Sequence, residues 1–243
     1  MTQRIFKAEG LVLRTRILGE ADRLVTLLTW EEGKFEAVAR GARKTKSKLA
    51  AGVDLFTHGW FTFHRGRTWP IITGQDTIER FPRFRDTPDL YAYGLYLAEL
   101  TDRLVSGEEK CVEICQLLLE GWKLLDEDVD RTLLCRGFEL KLAASAGYSP
   151  HLHSCANCGA ESTAGFSPSQ GGLLCSRCQR TDLIKVKQGT LALARRLIEA
   201  PLSQIKMLRA TDWQKKELSS IIMAFFAYQL DLGEIKSRRF LKD

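Results

Sequence analysis

Leu11-Val-Leu-Arg-Thr-Arg-Ile17 and Arg23-Leu-Val-Thr-Leu-Leu-Thr-Trp30, separated by Gly19-Glu20-Ala21-Asp22, decide how the first third of the chain folds. Both are short runs rich in β-branched and aliphatic residues, and the segment between them has turn composition, so they read as two strands. Glu31-Glu-Gly-Lys34 turns the chain into a third, Phe35-Glu-Ala-Val-Ala39. Further on, Phe56 to His64 and Trp69 to Thr77 flank the turn candidate Arg65-Gly-Arg67. Five strands with no helical pattern between them predict a small antiparallel barrel. A five-stranded OB-fold is one economical solution, and an SH3-like barrel fits the pattern almost as well.

After Phe81-Pro-Arg-Phe-Arg85 the period changes from two to 3.6. Thr87-Pro88 reads as an N-cap followed by proline at the first helical position. Leu90, Tyr93, Leu97, Leu100 and Leu104 then recur at helical spacing, and Ser106-Gly107 ends the helix. Cys111, Ile114, Cys115, Leu118, Trp122 and Leu125 mark a second helix. Leu134, Phe138 and Leu142 mark a third, stopped at Gly147 with Pro150 beyond. Two more are predicted near 190–200, ended by Pro201, and at 212–231. The expected architecture is α+β and multidomain. An OB-type barrel spans 1–82 and a helical domain spans 83–243, with a cysteine-rich insertion at 155–178.

Charge follows the same division. The chain of 243 residues has a formal net charge of +6 and carries 16 basic and 9 acidic side chains in residues 1–85, against 20 and 21 in the rest. A basic module is thus joined to a neutral body, a balance suited to a polyanionic partner. At 44% hydrophobic and 27% charged, the composition is globular and excludes disordered and collagen-like classes. The longest apolar run, Ile221 to Tyr228, is far short of the roughly 20 residues a spanning helix needs. The segment Met1 to Gly10 lacks the apolar core of a signal peptide. A cytoplasmic, nucleoid-associated protein is expected.

Cys155-Ala-Asn-Cys158 and Cys175-Ser-Arg-Cys178 are two C-x-x-C pairs separated by sixteen residues. Two such knuckles place four thiolates around one Zn²⁺, which prefers tetrahedral sulfur coordination. Four cysteines close the shell and leave no position for a reacting water, so the expected metal is structural. His151 and His153 precede the cluster but read better as solvated loop residues. The zinc deaminase pattern, HExxH, a P-loop, GxGxxG and GxSxG are all missing, and no catalytic residue is assigned. Cys111, Cys115 and Cys135 fall on apolar helix faces and read as buried structural thiols.

The stretch Arg40-Gly-Ala-Arg-Lys-Thr-Lys-Ser-Lys48 holds five cations and no acid, after a strand that opens with Lys34. A mobile cationic loop on a small barrel with aromatic strands suits a phosphate backbone. A solvated charged loop is the plainer reading, and the charge asymmetry favours nucleic acid. In Phe56 to His64, one alternating set, Phe61 and Phe63, faces the interior, so most of these rings are core. Arg195-Arg196, opposite Leu191, Ala194 and Leu197, extends the basic surface or forms a helix's solvent face.

Taken together, the residues resemble the RecO family of bacterial recombination mediators. The resemblance covers essentially the whole chain. It rests on Gly10-Leu-Val-Leu13, Gly19-Glu-Ala-Asp-Arg23 leading into Leu28-Thr29, and Ala39-Arg-Gly-Ala-Arg-Lys44 with Ser47. It continues through Phe138-Glu-Leu-Lys-Leu142, Gly147-Tyr-Ser-Pro150 and Cys155 to Gly159, and ends with Lys236-Ser237 and Phe240-Leu241. It implies an N-terminal OB-fold, a helical C-terminal domain and a zinc finger. It also implies a non-enzyme that binds single- and double-stranded DNA and anneals complementary strands. With RecR, such a protein promotes RecA loading onto DNA coated by single-strand DNA-binding protein. Its DNA contacts would fall on Lys34, Arg40, Arg43, Lys44, Lys46 and Lys48. The rival reading is a zinc-ribbon adaptor that binds only proteins.

Overall fold

A computed structural model describes residues 4–107, 110–230 and 232–242. Five strands, β1 (Ile5–Leu18), β2 (Asp22–Thr29), β3 (Gly33–Ala39), β4 (Thr57–His64) and β5 (Ile71–Arg80), close into a barrel in the order β1-β2-β3-β5-β4. Closure depends on β1, which is longer than the predicted Leu11–Ile17. Its first half pairs with β4 from Ile5↔His64 to Leu11↔His58, and from Gly10↔Thr29 onward it pairs with β2. The register shifts between Val12 and Arg14. A bulge adds twist and bends a strand, which lets one strand belong to two sheet faces. Four seams are antiparallel, while β3 meets β5 in parallel through Val38↔Ile71 and Ala39↔Ile72. The interior is filled by Val12, Val25, Leu27, Phe61 and Phe63, closed below by Ala42 and Val53. Phe6 stacks on Phe63 at 4.9 Å between centroids, and Phe35 meets it edge-on at 5.2 Å.

Packing divides the chain elsewhere than the change of period does. Met1–Asp126 forms one compact unit and Glu127–Asp243 the other. The first therefore takes in three helices: the short α1 (Pro82–Asp86), which sequence patterning missed, α2 (Pro88–Leu104) and α3 (Val112–Leu125). An aromatic cluster holds them to the barrel. Phe56 lies within 5.5 Å of the rings of Phe84, Tyr91 and Trp122, each nearly perpendicular to it. Phe56 adopts a left-handed φ of 66°, an uncommon conformation for a bulky residue, and burial in this cluster offsets the strain. The Trp122 Nε1–H donates to the Gly94 carbonyl at 3.2 Å. A Cβ at Gly94 would come within 2.7 Å of the Phe84 ring, so only glycine allows α2 to approach α1 this closely. Thr87 sits at the predicted N-cap position, but its side chain makes no capping bond, and Pro88 alone marks the start.

The second unit contains α4 (Arg131–Ser145), α5 (Gln188–Glu199) and α6 (Asp212–Gln229). Residue 231, in the predicted 212–231 helix, lies outside the described residues, as do Met1 to Gln3. Asp130 caps α4 by accepting from the Leu133 N–H at 2.9 Å. Thr211 and Gln214 form a capping box on α6. Two 3-10 turns, Leu202–Met207 and Lys236–Phe240, were not foreseen. Between α4 and α5 lies a two-stranded ribbon, β6 (Gly165–Ser167) and β7 (Gly172–Leu174), which carries the cysteines. Helix α4 is buried along its whole middle, Leu133 to Leu140, including Arg136 and Glu139. Those two form an ion pair, Nη2 to Oε1 at 2.9 Å, with both side chains fully enclosed. Among the described residues, no helix is long and apolar enough to cross a membrane.

Candidate nucleic-acid interface and metal centre

The cationic loop is held by a defined set of hydrogen bonds. Gly41, with φ +65°, turns the chain out of β3, and its N–H donates to Asp22 Oδ1 at 2.8 Å. Ala42 drops into the barrel core. The Arg43 N–H bonds to the Ala21 carbonyl at 2.9 Å. Its guanidinium adds bonds to the carbonyls of Gly19 at 3.1 Å and Glu20 at 2.7 Å. Successive turns follow, Lys44 N–H to Gly41 O and Ser47 N–H to Lys44 O, both 3.0 Å, until Leu49 packs back on the barrel. The loop is thus fastened to the β1–β2 turn and to the core. Its cations, Arg40, Arg43, Lys44, Lys46 and Lys48, are all exposed. Arg43 is bonded to neutral carbonyls, and none of the five has an acidic partner among the described residues. The full positive charge faces solvent.

Lys34 has a different position. Its Nζ lies 3.2 Å from Asp102 Oδ1 on α2 and also donates to the Asp102 carbonyl. The Asp102 carboxylate is shared with Arg14 at 3.4 Å. Lys34 is mostly covered and its charge is balanced, so the structure does not bring it together with the loop cations. Arg195 and Arg196 lie on α5 in the second unit. The Arg195 Nε–H donates to the Leu152 carbonyl at 2.8 Å, and Arg196 donates to Gln204 Oε1 at 2.6 Å. The first ties the helix to the segment leading into the cysteines.

Cys155, Cys158, Cys175 and Cys178 converge as their spacing predicts, with all four sulfurs within 4.8 Å of one another. Cys158 Sγ and Cys175 Sγ are 3.7 Å apart. Each pair is a tight turn. The Gly159 N–H bonds to the Cys155 carbonyl at 2.8 Å with φ +74°, and the Cys178 N–H bonds to the Cys175 carbonyl at 3.1 Å. The ribbon supplies the register, because the Ala156 N–H bonds to Leu173 O at 2.7 Å and the Ala164 N–H bonds to Leu174 O at 2.7 Å. Burial opposes ionisation of Cys155, but hydrogen bonds from the backbone of Cys175, Cys158 and Asn157 outweigh it and bring the thiol down to about 6. Cys175 is also lowered, burial again being outweighed by backbone donors. Such a set could hold one metal ion. His151 bonds to Ser154 Oγ at 2.8 Å and His153 pairs with Glu199 at 3.4 Å, so neither joins the cluster. Cys115 and Cys135 are buried and Cys111 half-buried, and burial first of all pushes the Cys115 thiol far above its ordinary range.

Residues 1–81 match the family described as "Recombination protein O N terminal", and residues 85–239 match "Recombination protein O C terminal". The chain belongs to the RecO family. A "DNA repair protein RecO" of Roseiflexus sp. (strain RS-1) is 36% identical over 248 residues, covering 100% of this chain and 87% of the relative. Its namesake in Pelotomaculum thermopropionicum is 34% identical and covers 98% of this chain and 94% of the relative. That of Symbiobacterium thermophilum is 32% identical, with 98% and 96% covered. In this RecO-family chain the two family segments meet at residues 82–84, just where strands give way to helices.

Proposed function

We propose that this chain is a DNA-binding recombination mediator that brings complementary strands together, and that residues 1–82 form its DNA-binding module as an OB-fold. The observation that carries the reading is the fastened loop, with five exposed cations, none of which is ion-paired to an acid among the described residues. Membership of a family whose relatives are named for DNA repair supports it. The strand order β1-β2-β3-β5-β4, with one parallel seam, suits an OB-type barrel. Loop cations neutralise phosphates with little regard for sequence. Charge placed between two strands lowers their repulsion, so annealing requires no bond to be made or broken and no nucleotide cofactor. RecR and single-strand DNA-binding protein are the proposed protein partners, and RecA loading onto coated single strands is the proposed outcome.

The test uses two complementary oligonucleotides coated with single-strand DNA-binding protein. Faster annealing on adding this protein, without ATP and fading with salt, is the expected result. No acceleration at low salt would favour the protein-only adaptor.

The cysteine cluster is proposed to hold one structural Zn²⁺. A Zn–S bond of about 2.3 Å sets neighbouring sulfurs of a tetrahedron about 3.8 Å apart, and the Cys158–Cys175 separation is 3.7 Å. The metal would supply what two three-residue strands cannot, a core for the ribbon. Metal analysis of purified protein is expected to give one zinc per chain. Cys155→Ser should lose it and expose 155–178 to protease, while changing single-strand affinity less than about threefold, since the loop cations lie in the other unit.

A further inference from the structure

We infer that the β4–β5 turn, through Trp69 and the preceding Arg65 and Arg67, is a base-stacking site for unpaired nucleotides that extends the cationic loop. The inference rests on the DNA-binding reading above and deepens it by separating what binds one strand from what binds two.

The segment itself carries little opposing charge, although the Asp22 carboxylate accepts from the Gly41 N–H beside it. From Ala37 to Gln75 there are seven arginines and lysines, and the single acid is Asp54. Asp54 is already held by Arg23 and Arg85, at 2.6 Å each. The turn and the loop also adjoin. The Val38 N–H donates to the Pro70 carbonyl at 2.8 Å, which sets the end of the turn against β3. Arg40, where the loop begins, is two residues further along, about 7 Å in an extended chain.

Among the aromatic residues of this hairpin, Trp69 stands apart. Phe61 and Phe63 are wholly inside the barrel, whereas Trp69 is 37% exposed. One exposed ring on a surface is ordinary. This one sits on a turn with little freedom to rearrange. A Cβ at Gly66 would lie 2.2 Å from the Trp69 carbonyl, so the turn is tight enough to require glycine there. Pro70 restricts the backbone of the residue before it. Arg65 donates its N–H to the Arg4 carbonyl at 2.9 Å and rests its guanidinium 5.1 Å above the Phe6 ring. Arg65 and Arg67 are exposed and have no acidic partner among the described residues. An indole presented on a tight turn that also carries two cations loses little freedom when a base stacks on it.

A base can stack on the indole only if its own face is open. In a duplex every face but those of the two end pairs is taken by the neighbouring pair. The loop cations therefore act on both forms of DNA, while Trp69 acts on single strands alone. Annealing then removes one of the contacts that held the strands, and the duplex leaves more readily than its parts arrived.

The test compares full-length wild type with Trp69→Ala and Trp69→Phe, using a thymidine 30-mer, a 30-base-pair duplex and an abasic 30-mer. Trp69→Ala is expected to weaken thymidine-strand binding by about 5- to 100-fold and duplex binding less than twofold, with Trp69→Phe keeping most of the affinity. Wild type and Trp69→Ala should bind the abasic strand equally. Equal losses on strand and duplex, or no loss on either, would overturn the inference while leaving the cationic loop intact. Failure of wild type to bind any of the three would instead remove the DNA-binding reading, and this inference with it. Trp69 is only 37% exposed, so thermal melts of both variants accompany the binding data, the unchanged abasic-strand affinity separates a stacking loss from a folding loss, and the phenylalanine variant gives a readout even if the alanine one does not.

Discussion

Replacing Lys44, Lys46 and Lys48 together by glutamate is expected to lower single-strand affinity about a hundredfold or more at low salt. Three phosphate contacts are lost, so the log–log salt dependence should become shallower by about 2, at roughly 0.7 per contact on single strands. Duplex binding should fall as well, because the phosphates are common to both forms. The three lysines are exposed and lack acidic partners, so their replacement breaks no ion pair, and thermal melting and metal content should stay at wild-type values. The triple change also removes the whole formal charge of +6. A control that replaces the exposed Arg180, Lys185 and Lys216 of the second unit by glutamate makes the same change in net charge and separates the two causes. If both variants lose affinity alike, bulk charge holds the DNA and the loop assignment fails. Binding that persists in the triple variant would also sink it.

The largest effect on stability is expected inside α4. Glu139→Gln removes the carboxylate charge that faces the enclosed Arg136 guanidinium, and removing one partner of a buried pair costs about 3–5 kcal/mol. For a unit of this size that corresponds to a fall in melting temperature of roughly 10–20 °C. The pair itself is not expected to add much. Desolvating two ions offsets most of their attraction, so the double variant Arg136→Met with Glu139→Leu should recover most of the lost stability. Denaturant unfolding of the two variants checks this directly. Equal destabilisation of the single and double changes would mean that the two charges do more than neutralise each other.

The barrel was legible because its strands announce themselves locally. Alternation put Phe61 and Phe63 inward, and the structure has both wholly buried. The four cysteines were equally clear, since each C-x-x-C encodes its own turn and only the meeting of two turns is left to tertiary structure. The closed circuit was less legible, because it depends on a bulge after Val12 that leaves no compositional mark. Nor could sequence separate Lys34 from the loop cations. Its partner Asp102 is 68 residues away, on a helix whose docking no local pattern reveals. The same blindness hid Arg136 and Glu139. Charged residues three apart on a helix look like a solvent face, and the all-round burial of α4 becomes visible only once its neighbours are in place. Arg43 is an intermediate case. Its sequence context marks it as a candidate DNA contact and it is one of the exposed cations, yet it also ties the loop to the β1–β2 turn, a second role that proximity in sequence does not show.

One feature of the barrel bears on how it opens. Seven or more residue pairs join each antiparallel seam, but β3 and β5 share only two. Local opening follows the path of fewest protected hydrogen bonds, so amide exchange in the barrel should begin at Val38 and Ile72 while the other seams remain closed. That seam also separates the cationic loop from the β4–β5 turn. Opening there would change the span between the two without unfolding either, so the barrel's weakest joint lies between the two parts of the proposed DNA surface.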